Sequence, residues 1–158
     1  MPQCPRVWNS WCDSPSVLKE TGILAMKKEV IPIPGIKEPD SPFNHVVKAG
    51  DFLFLTSQLS ADLKTGEIIS GDIAEQTERA LNNVEFLLHS CGSSLENVLK
   101  AVVYLRDVGD FEEMNRVYRR YFESAQAPAR VTIQSPSPVP GIDIEIEVTA
   151  LIPGVSEE

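Results

Sequence analysis

The stretch IDIEIEVTALI, residues 142–152, alternates apolar and polar side chains along its length. Successive residues of a strand face opposite sides, so Ile142, Ile144, Ile146 and Val148 share one face while Asp143, Glu145, Glu147 and Thr149 share the other. Such a strand is buried on one side only. Its apolar side needs a covering layer, and its acidic side must meet water, a ligand or another subunit.

Working outward, helices supply the covering layer. Asp72 and Glu75 have the spacing of a capping box, and Ile73, Thr77, Ala80, Leu81, Val84, Leu87 and Leu88 follow as one stripe at helical spacing until Gly92 ends it. A second helix is predicted from Asp110, with Glu113 repeating the capping-box spacing and Phe111, Met114, Val117, Tyr118, Tyr121 and Phe122 on its apolar face, ending near Ser124. Between the helices, SSLENVL (93–99) predicts a short helical turn capped by Ser94, and KAVVYLRDV (100–108) a strand. Upstream, HVVK (45–48) and FLFLTSQ (52–58), joined by the turn AGD (49–51), read as a hairpin whose second strand is central. DLKTGEI (62–68) is a turn with Gly66 available for a positive φ. ARVTIQS (129–135) is a further strand, and PSPVPG (136–141) a connection that no central strand tolerates. The order hairpin, helix, strand, helix, strand, strand predicts an α+β fold, one mainly β layer with two helices packed across a single face.

At 158 residues, with 42% hydrophobic and 23% charged side chains, the chain can close one core without disulfides. Its longest apolar run is too short for a membrane span, and a soluble protein is expected. A net charge of -9 with scattered cations repels phosphate backbones, so nucleic acid is not the expected partner. Cys4, Cys12 and Cys91 are odd in number and unclustered, which suits free thiols in the cytoplasm. Residues 1–25 hold both tryptophans and lack the pattern of a secretory signal or transit peptide, whereas regular patterning begins just after Met26. They are expected to be an N-terminal extension to a domain at 26–158. Either Met26 is the biological start, or the extension is an arm whose Trp8 and Trp11 dock on the body.

The residues with most chemistry are Arg130, in APAR (127–130), and the acids of the final strand. Arginine holds a carboxylate through two parallel hydrogen bonds, and a glutamate moves protons to and from a water or a leaving amine. The competing reading makes Arg130 a surface ion-pair former and the acids the solvated face of an edge strand. Alternation alone leaves open which acid of Asp143, Glu145 and Glu147 would serve. Cys91 reads as a small buried apolar residue, and His45 and His89 have no partner at metal-ligand spacing, so no metal is expected. The aromatics of YRRYF (118–122) read as core.

Several separated blocks, AGDFLFLTSQLSADLKTGEII, GDIAEQTERALNNVEFLLHSCGSSLENVLKAVVYLRDVGDFEEMNRVYRRYF, APAR and IEIEVTAL, together resemble the RidA family (reactive intermediate deaminase A, YjgF-type, also called endoribonuclease L-PSP) over about residues 28–152. The resemblance implies a chorismate-mutase-like fold forming a homotrimer, with ligand sites in the clefts between subunits. It implies hydrolysis of 2-aminoacrylate and related enamine or imine acids to 2-oxo acids and ammonia, with no cofactor. Carried over by position, Arg130 is the carboxylate-binding arginine and Glu145 the acid that handles the water, while Gln58 and Asn115 match positions near the site and Tyr118 a packing position. Three departures bear on substrate range and rate: Phe43 stands where a tyrosine is common, Ser57 where a glycine lines the pocket, and Thr132 where many members have a cysteine. The alternative functions are a regulatory module that binds 2-oxo acids without turnover, and an RNA-cleaving inhibitor of translation, which the net charge of -9 disfavours.

Overall fold

A computed structural model of the protein describes residues 26–122 and 125–154. The extension 1–25 and Ser124 lie outside these residues. In chain order the elements are β1 (Lys28–Val30), β2 (Val46–Ala49), β3 (Phe52–Gln58), α1 (Ile73–Ser90), β4 (Val98–Leu105), α2 (Phe111–Tyr118), β5 (Ala129–Gln134) and β6 (Ile144–Leu151). They form one sheet of order β1-β2-β3-β6-β4-β5, antiparallel throughout except for the parallel pair β4 and β5.

The alternating strand β6 is therefore central, between β3 and β4, rather than an edge. Ile144, Ile146, Val148 and Ala150 meet Leu53 and Leu55 of β3 and Ala101, Val103 and Leu105 of β4 in a core closed by Ala80, Leu81, Val84, Leu87 and Leu88 of α1 and Met114 and Tyr118 of α2. Both helices cover that one face, as the single-sided alternation requires. Each fully buried leucine contributes about 1.5–3 kcal/mol of transfer free energy, so the α1 stripe anchors the layer. The opposite face carries exposed Phe52, Phe54, Val131 and Ile133 beside the acids of β6.

The first helix is capped as its sequence predicts. The Glu75 N–H donates to Asp72 Oδ1 at 2.9 Å and the Asp72 N–H donates to Glu75 Oε2 at 3.1 Å. At its other end Gly92 takes φ 74°, and the Ser93 N–H reaches back to the Leu88 carbonyl, closing the helix in a Schellman turn. Cys91 caps this end half-buried, and burial pushes its thiol up, away from the reactive thiolate.

Two predicted caps are absent. Asp110 is not an N-cap acceptor for α2, because it completes a 3₁₀ turn (Val108–Asp110) in helical conformation, while the Glu113 carboxylate is taken by Arg116 at 2.6 and 2.9 Å. Ser94 caps nothing with its side chain; its hydroxyl oxygen instead accepts from Asn97 Nδ2 at 3.0 Å across a 3₁₀ turn (Leu95–Asn97). The regular part of α2 also stops at Tyr118, and Arg120 and Tyr121 continue it in tighter turns.

Candidate functional site

Glu145 sits on the uncovered face of β6, opposite Tyr104 of β4. Its carboxylate is held from two directions. The pairing of β3 with β6 slips between Leu55 and Gln58, a bulge that re-aims Ser57 so that its hydroxyl donates to Glu145 Oε2 at 2.6 Å. From the Pro-rich connection, the Ser137 hydroxyl donates to Glu145 Oε1 at 2.5 Å while accepting the Val139 N–H at 3.0 Å. Beside this network lies a cavity of about 440 Å³, lined by Phe43, His45, Thr56, Ser57, Gln58 and Val139 among others. Phe43 is half exposed there and meets the His45 ring edge-on, with centroids 5.8 Å apart. Gln58 is buried, its Nε2 donating to the Thr56 and Ser57 carbonyls, so it braces the bulge.

The other two acids have different surroundings. Asp143 accepts from Gln76 Nε2 at 3.0 Å and pairs with Arg106 at 3.1 Å, tying β6 to the start of α1 and the end of β4. Glu147 lies near Tyr104, whose phenol is pushed up first by burial and then by the Glu147 and Glu145 carboxylates. Alternation treats the three acids alike; their hydrogen-bond partners do not.

Arg130 is at the start of the edge strand β5, in register with Ala101, and hence on the side that the helices cover. There its guanidinium carbon lies 4.6 Å from the centre of the Tyr118 ring and 5.8 Å from that of Phe111. These rings, seven residues apart on one stripe of α2, form a shelf for the planar cation. Tyr118 is itself stacked on Phe122 at 4.6 Å, and burial pushes its phenol up to about 12 against the opposing pull of Arg130. Among the described residues Arg130 makes no ion pair, and the buried Tyr118 hydroxyl has no hydrogen-bond partner. Thr132, in register with Val103, shares this side, and Asn115 is buried on α2 between the two rings of the shelf in sequence.

Arg130 and Glu145 are thus not brought together within one chain. In the sheet β4 lies between β5 and β6, and the pairing register puts the two side chains on opposite faces. Phe43, Ser57 and Gln58 line one cavity, where Ser57 bonds Glu145 while Gln58 is in register with core-facing Ile146, whereas Asn115 and Thr132 go with Arg130. Sequence reasoning missed Ser137, which has no local signal beyond standing in a Pro-rich loop. It assigned Tyr118 to packing, and the ring does pack, but it also carries Arg130.

A model of the endoribonuclease L-PSP family matches residues 35–152. Among curated proteins, a RutC family protein of Pyrococcus horikoshii is 43% identical over 78% of this chain and 97% of its own length. The human 2-iminobutanoate/2-iminopropanoate deaminase is 34% identical over 70% of this chain and 80% of its own. Among solved structures, RidA from the Antarctic bacterium Psychrobacter superposes with a TM-score of 0.71 at 27% identity, covering 78% of this chain and 99% of that one. Escherichia coli TdcF with bound serine superposes at 0.69 and 28% identity, covering 78% and 98%. Among the described residues no helix is long and apolar enough to cross a membrane.

Proposed function

Because the chain belongs to the endoribonuclease L-PSP family, we propose that it is a cofactor-independent deaminase that hydrolyses 2-aminoacrylate-type enamine and imine acids to 2-oxo acids and ammonia. It acts as a homotrimer in which Arg130 of one subunit and Glu145 of the next complete each site. The observation that carries this reading is the opposite-face placement of the two groups: a cation laid on aromatic rings without an acid partner among the described residues, and a carboxylate clamped beside a cavity. Neither alone can hold and hydrolyse a small acid. A neighbouring copy docked on the uncovered face supplies the missing half, and that face exposes the apolar side chains such docking needs, Phe52 and Phe54 at 37% and 47%, Val131 and Ile133 at 45% and 43%. The name of the human relative supports the substrate class.

In the reaction, the Arg130 fork binds the substrate carboxylate through two parallel hydrogen bonds, which a lysine cannot reproduce. Glu145 accepts a proton from the water that adds to the imine carbon, and the C=N electron pair withdraws to nitrogen, which takes up that proton. The C–N bond then breaks with its pair on nitrogen, the adduct hydroxyl releases its proton, and ammonia and the 2-oxo acid leave. Such imines already hydrolyse in water, so positioning and one proton shuttle of about 10²–10⁴-fold suffice.

Purified protein added to a pyridoxal-phosphate-dependent serine or threonine dehydratase is expected to speed release of pyruvate or 2-oxobutyrate from the imine, and Arg130→Ala is expected to abolish the effect. Binding of a 2-oxo acid without any acceleration contradicts this and assigns the chain to the regulatory alternative, with Phe43 or Ser57 as its cause. RNA cleavage that survives Arg130→Ala and falls steeply with salt contradicts it in favour of a nucleic-acid function.

A further inference from the structure

Each oxygen of the Glu145 carboxylate accepts a serine hydroxyl, Ser57 on Oε2 at 2.6 Å and Ser137 on Oε1 at 2.5 Å. Two donors from two separate segments of the chain fix both the plane and the tilt of the group. The Ser137 hydroxyl is itself fixed, because it accepts the Val139 N–H at 3.0 Å within the Pro-rich connection. Ser57 differs from Ser137 in one respect: it lines the 440 Å³ cavity directly. A serine hydroxyl that donates once still has lone pairs to accept with, so Ser57 can take a hydrogen bond from a water in the cavity while donating to Glu145.

Resting on the deaminase reading, we infer that Glu145 works through a two-serine clamp, in which Ser137 positions the carboxylate and Ser57 relays protons between it and the attacking water. As the water oxygen bonds to the imine carbon, its proton passes to Ser57 Oγ and the proton of Ser57 moves to Glu145 Oε2. The C=N pair withdraws to nitrogen. The relay run in reverse delivers that proton to the nitrogen, the C–N bond breaks with its pair on nitrogen, and the adduct hydroxyl gives its own proton to the departing group to leave ammonia and a 2-oxo acid. The side chain that the bulge adds at position 57 thereby serves as the conduit to the cavity, and the Pro-rich loop as the support of the base.

The test is steady-state kinetics of imine hydrolysis for the wild type, Ser57→Ala, Ser57→Thr, Ser137→Ala and Ser137→Thr. Both alanine variants are expected to lose about 10²-fold in kcat with KM close to that of the wild type. Both threonine variants, which keep a hydroxyl, are expected to recover most of the loss. Should a threonine variant fail to fold, Ser57→Gly, which opens room for a water in the hydroxyl's place, recovers part of the activity lost in Ser57→Ala. An unchanged kcat in Ser57→Ala overturns the relay, and a raised KM at unchanged kcat shows that the serines bind substrate instead. Absence of turnover in the wild type is a different result, which removes the deaminase reading and the relay with it.

Discussion

The two sides of the sheet hold their charged groups by opposite means. On the uncovered side the Glu145 carboxylate is caught by hydroxyls from a strand bulge and a proline-rich loop, so its hydrogen bonds fix its direction. On the helix side the Arg130 guanidinium lies over the Tyr118 ring near that of Phe111, contacts that hold the cation while its N–H donors are free, among the described residues, to take a ligand. In the proposed function the carboxylate is a base that must aim at one water, whereas the guanidinium is a fork that must accept an incoming carboxylate. The difference predicts that damage to the two sides will appear in different kinetic parameters.

The largest expected effect is on the carboxylate side: Glu145→Gln keeps the shape and is expected to lower kcat by about 10²–10⁴-fold with little change in KM. Next comes Arg130→Lys, which keeps the charge but loses the two-pronged grip, and is expected to lower kcat/KM by roughly 10–100-fold, chiefly through KM. Phe111→Leu withdraws one ring of the shelf and is expected to raise KM about 2- to 5-fold at unchanged kcat. A fall in kcat for Phe111→Leu, or a rise in KM for Glu145→Gln, breaks the division of labour between the two faces.

Tyr118 allows a test that needs no substrate. Its phenol is raised from 10.0 to about 12 by burial, so the folded state favours the neutral form. The associated stability is fully present below pH 10 and is lost as pH rises toward 12, because the unfolded chain ionises first. Tyr118→Phe removes both this titration and a buried hydroxyl that has no partner among the described residues. Urea unfolding between pH 9 and pH 12 is expected to show a shallower alkaline loss in the variant than in the wild type, with equal or greater stability at neutral pH. Equal slopes in the two proteins contradict the assignment of Tyr118 as a buried neutral ring under Arg130.

Much of the fold was legible because its strongest signals are local. The period of β6 gave a strand covered on one side, and the stripe from Ile73 to Leu88 gave the helix that covers it. The Asp72 box was realised while the equal spacing of Asp110 and Glu113 was not, since spacing does not reveal that Arg116 competes for Glu113. Asp72→Ala is accordingly expected to cost about 1 kcal/mol, and Asp110→Ala no more than about 0.5 kcal/mol, by chemical denaturation. The site was legible only in pieces. Arg130 and Glu145 could be named from a resemblance, but their separation depends on β4 pairing between β5 and β6, a long-range choice made by core packing rather than by any residue in the intervening loop.

The central claim is that each site takes its arginine from one chain and its glutamate from another. It is tested by co-expressing Arg130→Ala and Glu145→Ala subunits with different tags, purifying the mixed assemblies and measuring imine hydrolysis. Each homogeneous variant is expected to be inactive, and the purified mixed trimers are expected to show about one third of wild-type activity, because in a ring of three that holds both subunit types one interface joins an intact Arg130 to an intact Glu145. Mixed assemblies that form but remain inactive contradict the account.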